Sequence, residues 1–183
     1  MDAISNVFTS EEVDKEVGIL MTNIKEELQA PFVPNFFKVW SDAPEALKGI
    51  YPAMKHILAN GHLSRPLKEM IILAISSRNN CDYCVAAHQT FASMMGVSPE
   101  NIEAIKSDHT GITDPKIKGA IDYALKLVDN PNSNSLEDIE KLKSLNYSKV
   151  EILEIIAMTG MSVFYNHLAD ATQINVDKAF LTS

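Results

Sequence analysis

Two cysteines and a histidine, Cys81, Cys84 and His88, form the most reactive grouping in the sequence, which contains no other cysteine. Side chains at positions i, i+3 and i+7 of a helix lie on one face, so a helix through this segment brings two thiols and an imidazole together. Cα atoms three residues apart on a helix are roughly 5–6 Å apart, within the range that a disulfide requires. The group can therefore carry redox chemistry, bind a metal ion or simply be buried.

A base and a carboxylate accompany the thiols. His88 follows Cys84 by four residues, so its imidazole can reach the Cys84 sulfur and take the proton of the thiol. Glu69 lies in the preceding apolar segment, where an unpaired carboxylate would be costly. If the two segments fold against each other, Glu69 can orient His88. A cap at Asn80 would place Cys81 in the first turn of its helix, where the helix dipole favours a thiolate.

The segments that position these residues are all predicted to be helices. Seven glycines and the lack of any long alternating apolar and polar segment argue against strands. Caps and prolines divide the chain into helices over residues 9–29, 36–40, 42–61, 64–76, 81–96, 98–107, 114–130, 135–146 and 148–171. Residues 77–80 are expected to interrupt a central, buried helix, and Asn79 or Asn80 to cap the helix of the cysteines. Short connections predict an all-α, single-domain antiparallel bundle over residues 1–183.

Composition narrows the classes of function. A formal net charge of −8 with 46% hydrophobic residues is typical of a soluble protein, and a nucleic-acid partner is not expected. The N-terminus lacks the features of a secretory signal, and the longest apolar run, residues 70–75, is too short to cross a bilayer. We therefore expect a cytoplasmic protein without a membrane partner, in which thiols are normally kept reduced.

Metal binding and inert burial are the alternatives to redox chemistry for the thiols. Cys81, Cys84 and His88 supply three of the four ligands of a structural zinc site, but a single helix stripe is a poor tetrahedral cage. The sequence has no second CxxC to complete it. We therefore expect redox-active thiols and no bound metal ion.

The combination of Glu69, a buried run and Cys81-x-x-Cys84-x-x-x-His88 resembles the signature of AhpD-like alkylhydroperoxidases, within the carboxymuconolactone decarboxylase superfamily. The similarity extends from about residue 31 to residue 105. Further matching segments are Pro34-Asn35-Phe36-Phe37, Ala43-Pro44-Glu45, Leu63-Ser64-Arg65 with residues 68–74, and Met95-Gly96-Val97-Ser98 with Ile102. The combined spacing of Glu, CxxC and His is specific, whereas a CxxC alone is not.

The resemblance implies an AhpD-like fold and a peroxidase that works through the two cysteines. By carry-over from the family, Cys84 attacks the peroxide and becomes a sulfenic acid, and Cys81 displaces water from it to form the disulfide. His88 then serves as the base for Cys84, and Glu69 completes the proton relay. This assignment differs from the dipole argument, which favours Cys81, and we follow the family because His88 is placed for Cys84.

The resemblance also implies partners and two secondary site residues. Some family members have a histidine at the position of Tyr83, where a phenol is a poor base near neutral pH but can donate a hydrogen bond. His167, on the last apolar helix, is the other secondary candidate, although a core or interface position is expected for it. The family implies a hydroperoxide substrate, no bound cofactor, and an external dithiol as reductant, either a lipoyl group on a partner protein or a thioredoxin-like protein. It also implies a homotrimer or hexamer.

Two other functions remain open on the sequence. A decarboxylase of the superfamily would act on a lactone ring, but such enzymes lack the redox cysteine pair, so Cys81 and Cys84 count against it. A disulfide oxidoreductase or redox sensor would use the same two thiols without a peroxide.

Overall fold

Helices make up all the regular structure in the described part of the chain. The computed structural model describes residues 15–27 and 32–181, and no strand occurs among them. The α-helices are α1 (Lys15–Glu27), α2 (Asn35–Lys38), α3 (Pro44–Leu58), α4 (Arg65–Asn79), α5 (Asp82–Met94), α6 (Pro99–Ser107), α7 (Pro115–Asp129), α8 (Leu136–Ser144) and α9 (Lys149–Thr172). Short 3₁₀ helices occupy Pro131–Ser133 and Lys178–Phe180. The predicted all-α fold is confirmed, whereas a single domain over residues 1–183 stays a prediction.

Most helices begin at the predicted capping residues. The side chains of four predicted caps accept hydrogen bonds from backbone N–H groups of the turn that follows: Ser98, Asp114, Ser135 and Ser148. The predicted limits of the first helix, near residues 9 and 29, lie outside the described residues. The residue that precedes α3 is Ala43 rather than Asp42, a difference of one position that is common at helix ends.

The central helix is α4, as predicted. Every residue from Leu67 to Ser76 is buried, and α5, α6, α7 and α9 all pack against this helix. Ile71 and Ile72 have no accessible surface, and full burial of such a side chain contributes about 1.5–3 kcal/mol. The same helix carries one carboxylate, Glu69, into the apolar interior, where it must find partners.

The predicted interruption at residues 77–80 is wrong, because α4 continues to Asn79. The helix ends at Asn80, which has φ 58° and ψ 37°, in the left-handed region. Asparagine enters this region more easily than most residues because its short polar side chain bonds locally. Asn80 therefore ends α4 instead of capping the helix that follows.

The longest helix, α9, is apolar on two faces. Ile155 and Met158 lie in the core, whereas Leu153, Ile156 and Phe164 are exposed. Among the described residues, α9 is the one helix long and apolar enough to cross a membrane. The longest uninterrupted apolar run in the sequence, residues 70–75, lies in α4 and did not indicate this property of α9. Half of the apolar stretch is buried inside the fold, and a core helix passes the same test.

Candidate active site

Cys81 lies in the short connection between α4 and α5 and takes part in the hydrogen bonds of both helix ends. Its N–H donates to the carbonyl of Ser76 at 3.0 Å, and the N–H of Asn80 donates to the carbonyl of Ser77 at 3.2 Å. These two bonds form the Schellman motif that ends α4. Cys81 is also the N-cap of α5, and its carbonyl accepts from the N–H of Val85 at 2.9 Å. The backbone of Cys81 is therefore fixed on both sides by hydrogen bonds.

Cys84 lies in the first turn of α5, which begins at Asp82. The backbone N–H groups of a first turn have no acceptor within the helix, and the dipole there favours a thiolate. The predicted cap at Asn79 or Asn80 is wrong, because Cys81 itself is the N-cap. Both thiols therefore lie at the positive end of α5. The helix dipole therefore no longer favours Cys81 over Cys84.

The two sulfurs are joined in a disulfide, with the Cα atoms 5.3 Å apart. This separation falls within the range expected for residues three apart on a helix, so the bond can open with little movement of the backbone. Cys81 is completely buried and Cys84 is 4% exposed. The site is therefore open to small reagents more readily than to another folded protein.

α5 folds back along α4, so that His88 meets Glu69. The Nδ1 atom of His88 lies 2.7 Å from Oε2 of Glu69, which is completely buried. The other carboxylate oxygen, Oε1, accepts from Nε of Arg65 at 2.7 Å and lies 2.6 Å from its Nη2. The structure thus brings together the predicted carboxylate and base. Because Nδ1 faces Glu69, Nε2 is the ring nitrogen that the carboxylate does not engage.

The carboxylate stays ionised despite its burial. Burial by itself raises the pKa of Glu69, but the charges and hydrogen bonds of His88 and Arg65 outweigh it, and the pKa lies below its ordinary value. The buried carboxylate therefore has a partner at each oxygen, which offsets the cost of its burial.

The hydroxyl of Tyr83 bonds to the C-terminal segment and to the start of α2. Its Oη donates to Oδ2 of Asp177 at 2.9 Å and accepts from the N–H of Phe36 at 3.2 Å. Burial and the neighbouring Asp177 raise the pKa of Tyr83 far above its ordinary value. These contacts give Tyr83 an anchoring position between the start of α5 and residues 175–180.

His167 is exposed on α9, and none of the described hydrogen bonds joins it to the cysteines, His88 or Glu69. Sequence reasoning missed two residues that the site contains. Arg65 lies four residues before Glu69, and this spacing is typical of ion pairs on a helix. The spacing alone could therefore have indicated Arg65 as a partner of Glu69. Asp177 is 94 residues from Tyr83, and nothing local in the sequence indicates this contact.

A resident metal ion has no obvious set of ligands. Among the described residues, no group of three or more His, Cys, Asp and Glu side chains is placed to hold one. A cavity of about 80 Å³ lies between α7 and α8, lined by residues such as Tyr123, Lys126 and Leu142. None of the site residues lines this cavity.

The fold and the site define an all-α protein with a CxxC disulfide beside a buried carboxylate–imidazole pair. Residues 44–124, which include Glu69, both cysteines and His88, match the model of the carboxymuconolactone decarboxylase family. The match covers somewhat less than half of the chain, and over this stretch the chain is similar to that family. None of the proteins with curated functions is similar enough in sequence to count as a relative.

Solved structures extend the likeness to nearly the whole chain. The AhpD core of a peroxidase-related protein from Ralstonia eutropha JMP134 has a TM-score of 0.85 and 21% identity, covering 92% of this chain and 88% of its own. A peroxidase-related protein from Silicibacter sp. TM1040 has a TM-score of 0.85 and 23% identity, covering 93% and 90%. The debrominase Bmp8, solved with 2,3,4-tribromopyrrole as a cysteine-to-alanine variant, has a TM-score of 0.75 and 20% identity, covering 92% and 89%. At these identities the likeness establishes the fold.

Proposed function

We propose that this protein is a thiol-dependent peroxidase that reduces alkyl hydroperoxides through Cys81 and Cys84. The observation that carries the proposal is the arrangement of four groups on one helical hairpin. Two joined sulfurs lie at the start of α5, the His88 imidazole follows one turn later, and the Glu69 carboxylate approaches from α4. The match of residues 44–124 to the carboxymuconolactone decarboxylase family model and the fold shared with two peroxidase-related proteins support this chemistry.

The cycle begins with both thiols reduced. His88 takes the proton of Cys84, and the positive end of α5 helps to hold the thiolate. The thiolate sulfur attacks the outer oxygen of the hydroperoxide, the O–O bond breaks, and the alkoxide leaves as an alcohol with the proton from His88. The Cys84 sulfur is oxidised to a sulfenic acid, and the peroxide is reduced.

Cys81 then closes the disulfide. Its sulfur attacks the Cys84 sulfur, the S–O bond breaks, and the hydroxide leaves as water with the proton of Cys81. An external dithiol reduces the disulfide by exchange and is itself oxidised to a disulfide. We propose a lipoyl group on a partner protein or a thioredoxin-like protein for this step, with no resident cofactor. The burial of both sulfurs favours the lipoyl group, because it is a small dithiol.

Glu69 and Arg65 support the base rather than contact the peroxide. Glu69 holds the ring orientation of His88 and stabilises the imidazolium that forms when Cys84 loses its proton. Arg65 binds the second oxygen of the same carboxylate and keeps it ionised. The relay therefore runs from the Cys84 thiol to His88, with the charge balanced by Glu69.

A disulfide oxidoreductase or redox sensor is the main alternative. Both sulfurs are buried, which favours a small oxidant over a disulfide on another folded protein. A lyase of the carboxymuconolactone decarboxylase type would need no redox pair, so the joined cysteines disfavour it.

Peroxide consumption with a panel of reductants, including dihydrolipoamide and thioredoxin, tests the proposal. The wild-type protein should consume an alkyl hydroperoxide, and Cys84→Ser should be inactive. Cys81→Ser should stop after one event, with a sulfenic acid on Cys84 that a dimedone probe labels. Ser93→Ala, on the exposed surface of α5, is the matched control and should retain full activity.

Three results would contradict the peroxidase. These are sustained activity in Cys84→Ser, turnover of a model disulfide with no consumption of peroxide, and decarboxylation of a lactone ring with unchanged thiols. Because the fold is shared with a debrominase, the substrate panel should include a brominated pyrrole. Selective debromination without peroxide turnover would also overturn the proposal.

We further propose a cytoplasmic homotrimer or hexamer, on the strength of the superfamily resemblance. Light scattering of the purified protein measures the oligomer directly, and a monomer over the whole concentration range would contradict it. Cell fractionation measures the location.

A further inference from the structure

The buried side-chain amide of Asn166, on α9, forms two hydrogen bonds to the last turn of α4. Its Nδ2 donates to Oγ of Ser76 at 3.0 Å, and its Oδ1 accepts from Nδ2 of Asn79 at 2.9 Å. Asn166 is 2% exposed, and Ser76 is completely buried. Buried polar groups that are fully bonded in this way rigidify the elements that they join.

The same turn holds the backbone of Cys81. The carbonyl of Ser76 accepts from the Cys81 N–H at 3.0 Å, while its hydroxyl accepts from Asn166. Asn79 directly precedes Asn80, the left-handed residue that turns the chain into α5. The amide of Asn166 therefore contacts the turn at two residues. These are Ser76, in the last turn of α4, and Asn79, directly before the left-handed residue.

A second side chain also ties this turn to the rest of the fold. Arg78 forms an ion pair with Asp129 of α7 at 2.6 Å, but both side chains are more than half exposed. Exposed pairs of this kind are screened by water and salt and contribute little rigidity. Among the contacts described around the turn, the buried one from Asn166 is the better candidate to fix its geometry.

We infer that Asn166 is a positioning residue that holds Cys81 within bonding reach of Cys84. In the reduced form no covalent bond joins the thiols, so the backbone of the turn sets how often the two sulfurs meet. A fixed turn raises the effective concentration of one thiol at the other. It therefore stabilises the disulfide relative to the dithiol and speeds the closure of Cys81 onto an oxidised Cys84.

The kinetic half of this inference rests on the proposed function, because it treats Cys81 as the residue that resolves a sulfenic acid. The equilibrium half does not, since the stability of the Cys81–Cys84 disulfide can be measured without any peroxide. The two halves can therefore be tested separately.

The equilibrium test compares the full-length protein with Asn166→Ala in lipoamide and dihydrolipoamide buffers of graded ratio. Loss of the amide should lower the equilibrium constant for disulfide formation roughly tenfold, which raises the reduction potential by about 30 mV for a two-electron couple. Alkylation of Cys84, measured in a Cys81→Ser background, should keep its rate and pH profile, because the base is untouched. In the kinetic test, one equivalent of peroxide should leave dimedone-reactive Cys84 for several times longer in Asn166→Ala.

Thr159→Val is the matched control. Thr159 lies on α9, is 4% exposed, and its hydroxyl donates to the carbonyl of Ile155 in its own helix at 2.8 Å. Replacing it disturbs α9 to a similar extent without touching the turn, so the potential should not change. Asn79→Ala removes one of the two Asn166 contacts from a half-buried position, and should shift the potential in the same direction by a smaller amount.

The results separate the two proposals. If Asn166→Ala or, should that variant not fold, Asn79→Ala has the wild-type potential, the positioning role is overturned. An equal shift in Thr159→Val overturns it as well, because the effect would then be general to α9. If the potential shifts as expected but even the wild-type protein consumes no peroxide, the peroxidase proposal fails and the positioning role stands.

Discussion

His88 presents its Nδ1 atom to Oε2 of Glu69 at 2.7 Å, across 19 residues of sequence. The contact requires α5 to fold back along α4, so it depends on the single left-handed residue, Asn80, that joins the two helices. The same turn places Cys84 in the first turn of α5, with His88 four residues later. One backbone feature therefore sets both the position of the thiol pair and that of the imidazole that we propose as its base.

Glu69→Gln should raise the pH at which Cys84 becomes reactive. A neutral amide cannot stabilise the imidazolium of His88, so the proton is less readily taken from the thiol. We expect a roughly tenfold slower alkylation of Cys84 at neutral pH and a larger, roughly 100-fold, loss of peroxide turnover. The measurement is the pH profile of iodoacetamide alkylation in a Cys81→Ser background.

The matched control for this experiment is Glu154→Gln, which removes a mostly buried carboxylate that bonds to residues 62 and 63 rather than to His88. It should leave the alkylation profile unchanged. If Glu69→Gln also has the wild-type profile, Glu69 does not act on the thiol through His88.

Arg65→Met should lower the free energy of unfolding at neutral pH and make that free energy fall less steeply in acid. The pKa of Glu69 is lowered in the folded protein, so the unfolded chain takes up the proton first as the pH falls. The stability from the paired carboxylate is therefore present above about pH 4.3, its unfolded value, and is lost as the pH falls through the folded pKa. Without Arg65 the pKa of Glu69 is lowered by a smaller amount, so the variant loses less stability than the wild type as the pH falls.

Urea unfolding between pH 7 and pH 3 checks this prediction. Arg65→Met should lose about 1–3 kcal/mol at pH 7 because the buried carboxylate is left with one partner. The gap between variant and wild type should then narrow at low pH. A gap that stays constant with pH would show that Arg65 acts through packing alone.

Much of the site could be predicted from local spacing. The interval from Cys84 to His88 and the cost of burying Glu69 without a partner both identify groups that must meet if two helices pack. The helix caps at Ser135 and Ser148 were equally local signals, and both form capping boxes. Such features are predictable because the physics that produces them acts within one or two helical turns.

What the sequence did not reveal depends on conformation or on distant contacts. Asn80 is compatible with both an N-cap and a left-handed C-terminal residue, and only the packing of α5 on α4 selects the second. The partner of Tyr83, Asp177, comes from the far end of the chain. The amide of Asn166 meets Ser76 across 90 residues for the same reason.

Tyr83→Phe should cost stability but little activity. The hydroxyl of Tyr83 bonds to Asp177 and to the N–H of Phe36, so its loss should destabilise the fold by about 1–3 kcal/mol. Peroxide turnover should stay within about twofold of wild type, since no proton passes through the phenol. Urea unfolding and steady-state kinetics measure the two effects. A large fall in turnover at unchanged stability would return Tyr83 to the proton relay.

A second, partly exposed network holds the loop that leads into α4. Glu154 of α9 accepts from the N–H of His62 at 2.7 Å and of Leu63 at 2.8 Å. The ring Nδ1 of His62 lies 3.2 Å from the same carboxylate, and the buried amine of Lys68 lies 3.4 Å from it. Gly61 has φ +112°, and a Cβ there would lie 2.5 Å from Oε1 of Glu154. The loop can therefore close over the carboxylate only with glycine at this position.

Glu154→Gln should reduce both stability and its dependence on acid. Burial opposes the ionisation of Glu154, but the N–H groups of Leu63 and His62, together with Lys68, outweigh it and lower the pKa to about 2. Because the folded pKa is below the unfolded one, the stability it contributes is complete above about pH 4.3 and is lost as the pH falls towards 2. The variant should lose about 1–3 kcal/mol at pH 7 and show a shallower decline below pH 4.3 in urea unfolding. Gly61→Ala should destabilise the same loop and also flatten the acid response, because it displaces the N–H donors of residues 62 and 63 from the carboxylate. Identical acid slopes in Glu154→Gln and wild type would refute this account.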